Sequence, residues 1–339
     1  MNEIKRKDFI RMSALGGLAA VAANPFKATA SFKKVNLKKI GIIGLDTSHA
    51  TAFVKAINGQ SPEKEFAGFR FVAAYPKGSP DIKASVDRVP GYTEEVKKYG
   101  VEIVGSIEQL IEKVDYVCLE TNDGRPHLQQ ALPVLKAGKP IFIDKPMTAS
   151  LKDAIKIFEV AKRYNTPVFS SSSLRFITGM DEVLAGKVGK VIGAETYSPA
   201  TLEKTHPDFF WYGIHGVEML FTAMGPDIKT VSRVSSPDTD VVVGVWNDGR
   251  IGSVRGTRSG KPDYGGIVFG EKGNMLVGPF KSYTPLLKEI VKFFETGVPP
   301  VEEKETLAIL AFMEAADESK RKNGTSIDIG SIFKKAGKK

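Results

Sequence analysis

Ala137-Gly-Lys-Pro-Ile-Phe-Ile-Asp-Lys-Pro146 is the stretch that decides the fold. A helical pattern closes on glycine, Ile141 to Ile143 reads as a short buried strand, and the strand delivers Lys145. Pro146 then fixes the backbone torsion immediately after the lysine. Open α/β sheets bind ligands outside the carboxyl ends of their strands, so a lysine delivered there faces a cleft. Working outward, His127 to Ala137 and Leu151 to Tyr164 read as the helices flanking that strand. Lys39 to Gly44, Phe69 to Tyr75, Val101 to Val104 and Tyr116 to Leu119 read as earlier strands, and Pro167 to Ser170 begins another. Helices alternate with them, the first at Ser48 to Asn58. That alternation predicts a Rossmann-like, doubly wound parallel sheet.

Past Ala194 the texture changes. Val231 to Ser235, Val241 to Trp246, Ile251 to Arg255 and Gly266 to Phe269 read as strands, one pair joined at Asn247-Asp-Gly249. Two amphipathic helices, near Pro285 to Phe294 and Glu302 to Lys320, close the chain. The expectation is a C-terminal α+β domain whose open, mostly antiparallel sheet is covered by helices on one face. The expected division is residues 31–150 and 151–339, after a leader at 1–30.

The leader reading rests on a basic start through Arg11, a weakly apolar run from Met12 to Ala23, and Ala28-Thr29-Ala30 before Ser31. Arg6-Lys7-Asp8-Phe9-Ile10-Arg11 is similar to a twin-arginine export signal with lysine at the second position. The expected location is therefore outside the cytoplasm, in a bacterial periplasm. Removing the leader lowers the net charge from +9 to +6. No basic stripe with interleaved aromatics accompanies that charge, which argues against a nucleic-acid partner. After the leader no apolar run approaches the roughly eighteen residues that span a bilayer. Cys118 is the only cysteine and lies in an apolar strand, so it reads as a buried hydrophobe.

Several spacings coincide. Lys39-Ile-Gly-Ile-Ile-Gly44 opens the first strand and turn, His127 stands ten residues before Ala137-Gly-Lys139, and Asp144-Lys145-Pro146 follows. Gly186-Lys-Val-Gly-Lys-Val-Ile192 and Gly213-Ile-His215 come later. From Lys39 to about Ile329 the chain resembles the Gfo/Idh/MocA family of sugar and polyol oxidoreductases. The resemblance implies an NAD or NADP cofactor and hydride transfer on a sugar, cyclitol or sugar derivative. It also implies a homo-oligomer formed through the C-terminal sheet. Lys145 and His215 would be the catalytic pair, a positive charge for the developing alkoxide and a group that moves the proton. Gly44, Asp46, Thr47, Ser48, His49, Lys77, Asn122 and His127 would line the cofactor together with Lys145. Arg175 would meet a substrate hydroxyl or carboxylate. Trp211 and Tyr212, in the run Phe209-Phe-Trp-Tyr212, would stack on the sugar or form part of an interdomain core.

The chain also departs from that pattern. The turn reads Gly44-Leu-Asp46-Thr-Ser-His49, with aspartate where the middle glycine lets backbone approach a diphosphate. Two like charges about 4 Å apart cost on the order of several kcal/mol at an effective dielectric of 20. The second strand ends in Ala74-Tyr-Pro-Lys-Gly-Ser79, without a carboxylate for a ribose; Lys77 and Ser79 suit a 2′-phosphate better. Asn122-Asp-Gly124 replaces the family's Thr-Pro-Asn, and Trp211 replaces its aspartate, leaving Asp208 or Glu218 to partner His215. Asp46, Thr47 and His49 are spaced to form a helix-capping network. Asp46 and His49 are equally spaced to act as metal ligands or a hydrogen-bonded pair. With no compact motif such as His-x-x-x-His, no metal is assigned. Two other functions stay open: a non-redox carbohydrate-active enzyme with a remodelled cleft, and a catalytically silent carbohydrate-binding protein.

Overall fold

The computed structural model describes residues 37–338; the expected export signal at 1–30 lies outside them. The first half alternates β1 (Lys38–Ile43), α1 (Ser48–Asn58), β2 (Phe69–Tyr75), α2 (Lys83–Lys97), β3 (Glu102–Ile103) and α3 (Ile107–Lys113). It continues with β4 (Tyr116–Leu119), α4 (His127–Lys136), β5 (Ile141–Asp144), α5 (Leu151–Arg163) and β6 (Val168–Ser171). All six strands are parallel, in the order β3-β2-β1-β4-β5-β6. Burial on both faces explains the near-continuous apolar strands: Ile40, Ile42, Ile43, Ile141, Phe142 and Ile143 are wholly buried. The strand order reverses between β1 and β4, and a ligand crevice opens at such a switch point.

The sheet runs past the division expected at residue 150, because β6 pairs with β5 through Ile141–Val168 and Asp144–Ser171. The short helix α6 (Met180–Leu184) leads to β7 (Val191–Pro199) and α7 (Ile214–Met224). Then come β8 (Ile228–Ser235), β9 (Thr239–Trp246), β10 (Ile251–Thr257), β11 (Gly265–Gly270) and β12 (Gly273–Val277). The chain closes with α8 (Thr284–Thr296), α9 (Glu303–Arg321), β13 (Ile327–Asp328) and α10 (Ile329–Lys335). The second sheet has the order β12-β11-β7-β10-β9-β8-β13, and all its pairs are antiparallel except β7 with β10.

Helices α7 and α9 cover one face of this sheet. Gly216 lets α7 sit tight on it, since a Cβ there would lie 2.7 Å from Val254 Cγ1. Helix α8 returns to the first sheet instead. Its Leu286, Ile290 and Phe293 join Ile40, Phe142 and Phe169 in one buried cluster. Each such side chain contributes about 1.5–3 kcal/mol on full burial. With β6 in the first sheet and α8 on its face, the described residues belong to a single compact body.

Candidate active site

Lys145 leaves the end of β5 and is 5% exposed. The Lys145–Pro146 peptide is cis. Facing it is His215, on the first turn of α7 and equally buried. His215 Nδ1 lies 2.9 Å from Ser172 Oγ, at the exit of β6. Ser172 Oγ also accepts from Leu174 N–H at 3.1 Å. Two tautomers satisfy the serine contact, but only the one protonated at Nδ1 leaves Nε2 free to take a proton from a bound hydroxyl. Burial, and then the charge of Lys145, push the His215 imidazole well below its usual range, so it is held neutral. A neutral imidazole beside an ammonium is a base next to an alkoxide stabiliser.

Around this pair stand tyrosines from three loops. The Tyr212 ring centroid is 5.9 Å from Lys145 Nζ and 5.2 Å from the His215 ring. Tyr264 meets His215 edge-on at 5.7 Å, and Tyr283 meets His49 at 4.4 Å. Tyr212 lies beside Lys145 and His215, whereas Trp211 takes the packing role that its aromatic run also allowed. Trp211 is buried against His206 at 5.2 Å and belongs to the core of its loop.

Arg175 is also displaced from its expected role. Its Nε lies 3.1 Å from Glu218 and its Nη2 pairs with Glu305, which ties the turn after β6 to α7 and α9. Asp208 is committed to Arg233 at 3.1 Å and Lys320 at 2.5 Å. Neither carboxylate expected to orient His215 is therefore free to do so; Ser172 takes that position. Ser172, Tyr264 and Tyr283 carry no motif in the sequence. The one available signal was that the exit of a sixth strand must lie beside the Lys145 strand.

The turn after β1 explains how the crevice is built. Gly44 has φ +90°, and a Cβ there would stand 2.4 Å from Thr121 N, so only glycine fits this approach to the exit of β4. Asp46 is fully buried; it accepts from Ser85 Oγ at 2.7 Å and from Asn122 N–H at 3.0 Å. Burial raises its pKa despite those donors. The charge expected to oppose a diphosphate is thus spent on protein donors and drawn toward the neutral form. Thr47 caps α1, accepting weakly from His49 N–H at 3.4 Å, and Ser48 is exposed beside Tyr283 Oη at 3.2 Å.

The three-residue cap expected of Asp46, Thr47 and His49 is therefore only Thr47. Nor do Asp46 and His49 pair with each other. The His49 ring turns the other way, to Asp144 Oδ2 at 3.1 Å and Glu120 Oε2 at 3.8 Å. Burial and the Asp144 charge push Glu120 well above the usual carboxylate range. Burial acts on Asp144 in the same sense, but His49 and Lys145 outweigh it and hold that carboxyl at about 2.

His127 lies between two backbone carbonyls at the floor of the crevice. Its ring nitrogens lie 3.0 Å from Met147 O and 2.7 Å from Thr121 O, joining the exits of β5 and β4. Asn122 contributes its backbone N–H to Asp46. Lys77 is exposed at the end of β2, where a ribose or its phosphate would lie. Ser79 donates to Asp123 at 2.5 Å, and Arg125 grips both Asp123 and Asp81, which lashes the β2 and β4 loops together.

The frame fits a dinucleotide: the switch point, the tight turn at Gly44, the capped N-terminus of α1, and cations at Lys77 and Lys145. Those residues would hold the phosphates and ribose and set the ring beside Lys145.

Residues 38–172 match a family model described as oxidoreductase family, NAD-binding Rossmann fold. An uncharacterised oxidoreductase from Escherichia coli is 25% identical over 185 residues, 48% of this chain and 52% of the relative. A myo-inositol 2-dehydrogenase from Thermotoga maritima is 24% identical over 198 residues, 51% of this chain and 58% of the relative. The matches thus span little more than half the length of these curated relatives. Among solved structures, scyllo-inositol dehydrogenase from Lactobacillus casei with bound NAD(H) and scyllo-inositol superposes with TM-score 0.69 at 16% identity. It covers 87% of this chain and 99% of that one. An oxidoreductase from Thermotoga maritima superposes with TM-score 0.68 at 17% identity, with the same coverage.

Proposed function

We propose that this chain is an NAD(P)-dependent oxidoreductase of a sugar, cyclitol or sugar derivative, since residues 38–172 match the oxidoreductase-family model with an NAD-binding Rossmann fold. The observation that carries the reading is Lys145 facing a neutral, Ser172-anchored His215 at the carboxyl end of β5. When bound, the nicotinamide supplies the hydride acceptor. Lys145 stabilises negative charge on the substrate oxygen, and His215 Nε2 takes the hydroxyl proton. Tyr212, Tyr264 and Tyr283 offer ring faces and hydroxyls suited to a polyol. Substrates named for the inositol dehydrogenases above support a cyclitol as the first compound to test.

The test is mass spectrometry of nucleotide released from the denatured protein, with calorimetric titration of NAD(H) and NADP(H). We expect stoichiometric carried nucleotide or micromolar binding, and NADP(H) favoured through Lys77. Absence of both would retire the dehydrogenase reading and move the search to non-redox chemistry in the same cleft.

The same reading includes a homo-oligomer through the second sheet. On the face away from α7 and α9, Val234, Ile251 and Leu276 are 72%, 57% and 76% exposed. Register places Val234, Val241, Arg255 and Tyr197 in one row across β8, β9, β10 and β7. Light scattering should report a multiple of the chain mass, and Leu276→Glu with Val234→Glu should return it to one. A monomeric wild type would refute this part.

A further inference from the structure

We propose that His49, Glu120 and Asp144 form a binding site for one divalent transition cation, Zn2+ or Mn2+. Each of the three offers a ligand atom, and these atoms lie within 4.8 Å of one another. A tetrahedral ion with bonds of about 2.1 Å sets its ligands roughly 3.4 Å apart. The His49–Asp144 and His49–Glu120 separations, 3.1 and 3.8 Å, bracket that value.

The independent observation is what these atoms lack. Glu120 and Asp144 are 0% exposed and His49 is 5% exposed. Yet His49 Nδ1 and all four carboxylate oxygens have no hydrogen-bond partner among the described residues. The His49–Asp144 contact is close in distance but not aligned as a hydrogen bond. An ionised Glu120 would need donors that no neighbour supplies, and a protonated Glu120 would need an acceptor in line with its O–H. Neither form is satisfied by the described residues alone. A cation between the three satisfies all of them with one imidazole nitrogen and two carboxylates, a donor set that suits Zn2+ or Mn2+.

Three strands converge to build this site. His49 comes from the first turn of α1 after β1, Glu120 follows β4, and Asp144 ends β5. These are the three adjacent central strands of the parallel sheet. The proposal stands apart from the dinucleotide reading, because the ligands are protein groups that need no nucleotide.

The experiment uses the full chain, freed of any affinity tag, stripped with chelator and titrated with Zn2+ and separately with Mn2+ without nucleotide. We expect one equivalent bound per chain and a higher unfolding temperature on loading. Glu120→Gln and Asp144→Asn should each weaken binding by about ten-fold or more, with the circular dichroism unchanged. Pulsed EPR of the Mn2+-loaded wild type should show coupling to a single histidine nitrogen, lost in His49→Gln. That spectrum decides the matter on wild-type protein if a variant fails to fold. No saturable binding, binding untouched by the substitutions, or Mn2+ without nitrogen coupling would overturn the proposal and leave a metal-free His49–Asp144 contact. Since nucleotide is absent from every arm, such a failure is separable from failure of the dehydrogenase reading.

Discussion

Lys145→Met and His215→Ala should each reduce kcat/KM on an identified polyol by about 10²–10⁴-fold while leaving the fold intact. Both side chains are buried beside the same cleft. Lys145 sets a positive charge against His215 from the end of β5, and His215 is oriented through Ser172 Oγ at 2.9 Å. The pH profile gives the sharper signature. A base must be neutral to act, and burial with the Lys145 charge holds the His215 pKa well below 6.5. The acidic limb of kcat/KM should therefore fall at lower pH than an ordinary imidazole gives. Lys145→Met removes the largest of the charge effects that add to burial and should move that limb upward. Full turnover in either variant would show that the reaction is catalysed elsewhere.

The second large effect is on stability. Arg233 is 1% exposed and its guanidinium reaches Asp240 at 3.0 Å, Asp317 at 2.6 Å and Asp208 at 3.1 Å, stacked 4.8 Å over the Phe209 ring. It joins β8 and β9 to α9 and to the loop that carries Tyr212 toward the cleft. Removing one partner of a buried pair strands the others, at about 3–5 kcal/mol. Arg233→Met should therefore lower the unfolding midpoint by on the order of 10 °C.

The sign of its pH dependence follows from Asp317. Burial pushes that carboxyl up to about 7, against the pull of Arg233. A raised carboxylate pKa means that the folded state binds the extra proton, so this group's contribution is lost as pH rises through 7. The Arg233→Met deficit should be largest above pH 7 and shrink below it, where a protonated Asp317 needs no counter-charge. A deficit independent of pH would mean that Asp240, which Arg258 also holds, bears the loss instead.

How much of the molecule could be read in advance depends on the range of the interaction. The first sheet was legible because buried parallel strands are apolar runs and their intervening helices have their own period: β2, β4 and α1 fall where pattern alone puts them. Strand β7 escapes the pattern, since its alternation is broken by Gly193 and by Pro199. The pattern marks α8 as a helix but does not place it in the first sheet's core. Its partners Phe142 and Phe169 are more than a hundred residues away, and periodicity cannot name a partner.

The site divides in the same way. The alternating fold, the delivery of Lys145 from a strand end, and the place of His215 at the start of a helix follow from residue order along the chain. Those depend on neighbours within one turn or one strand. Only the folded chain brings Asp46 to Ser85 and Asn122, locks Arg175 to Glu218 and Glu305, and sets His127 between two carbonyls. It also brings Glu120 and Asp144 to His49 and Ser172 to His215. Charges and hydrogen bonds act over a few ångströms in space, whatever their separation along the chain. Which acid meets which base is therefore settled only when the strand ends converge.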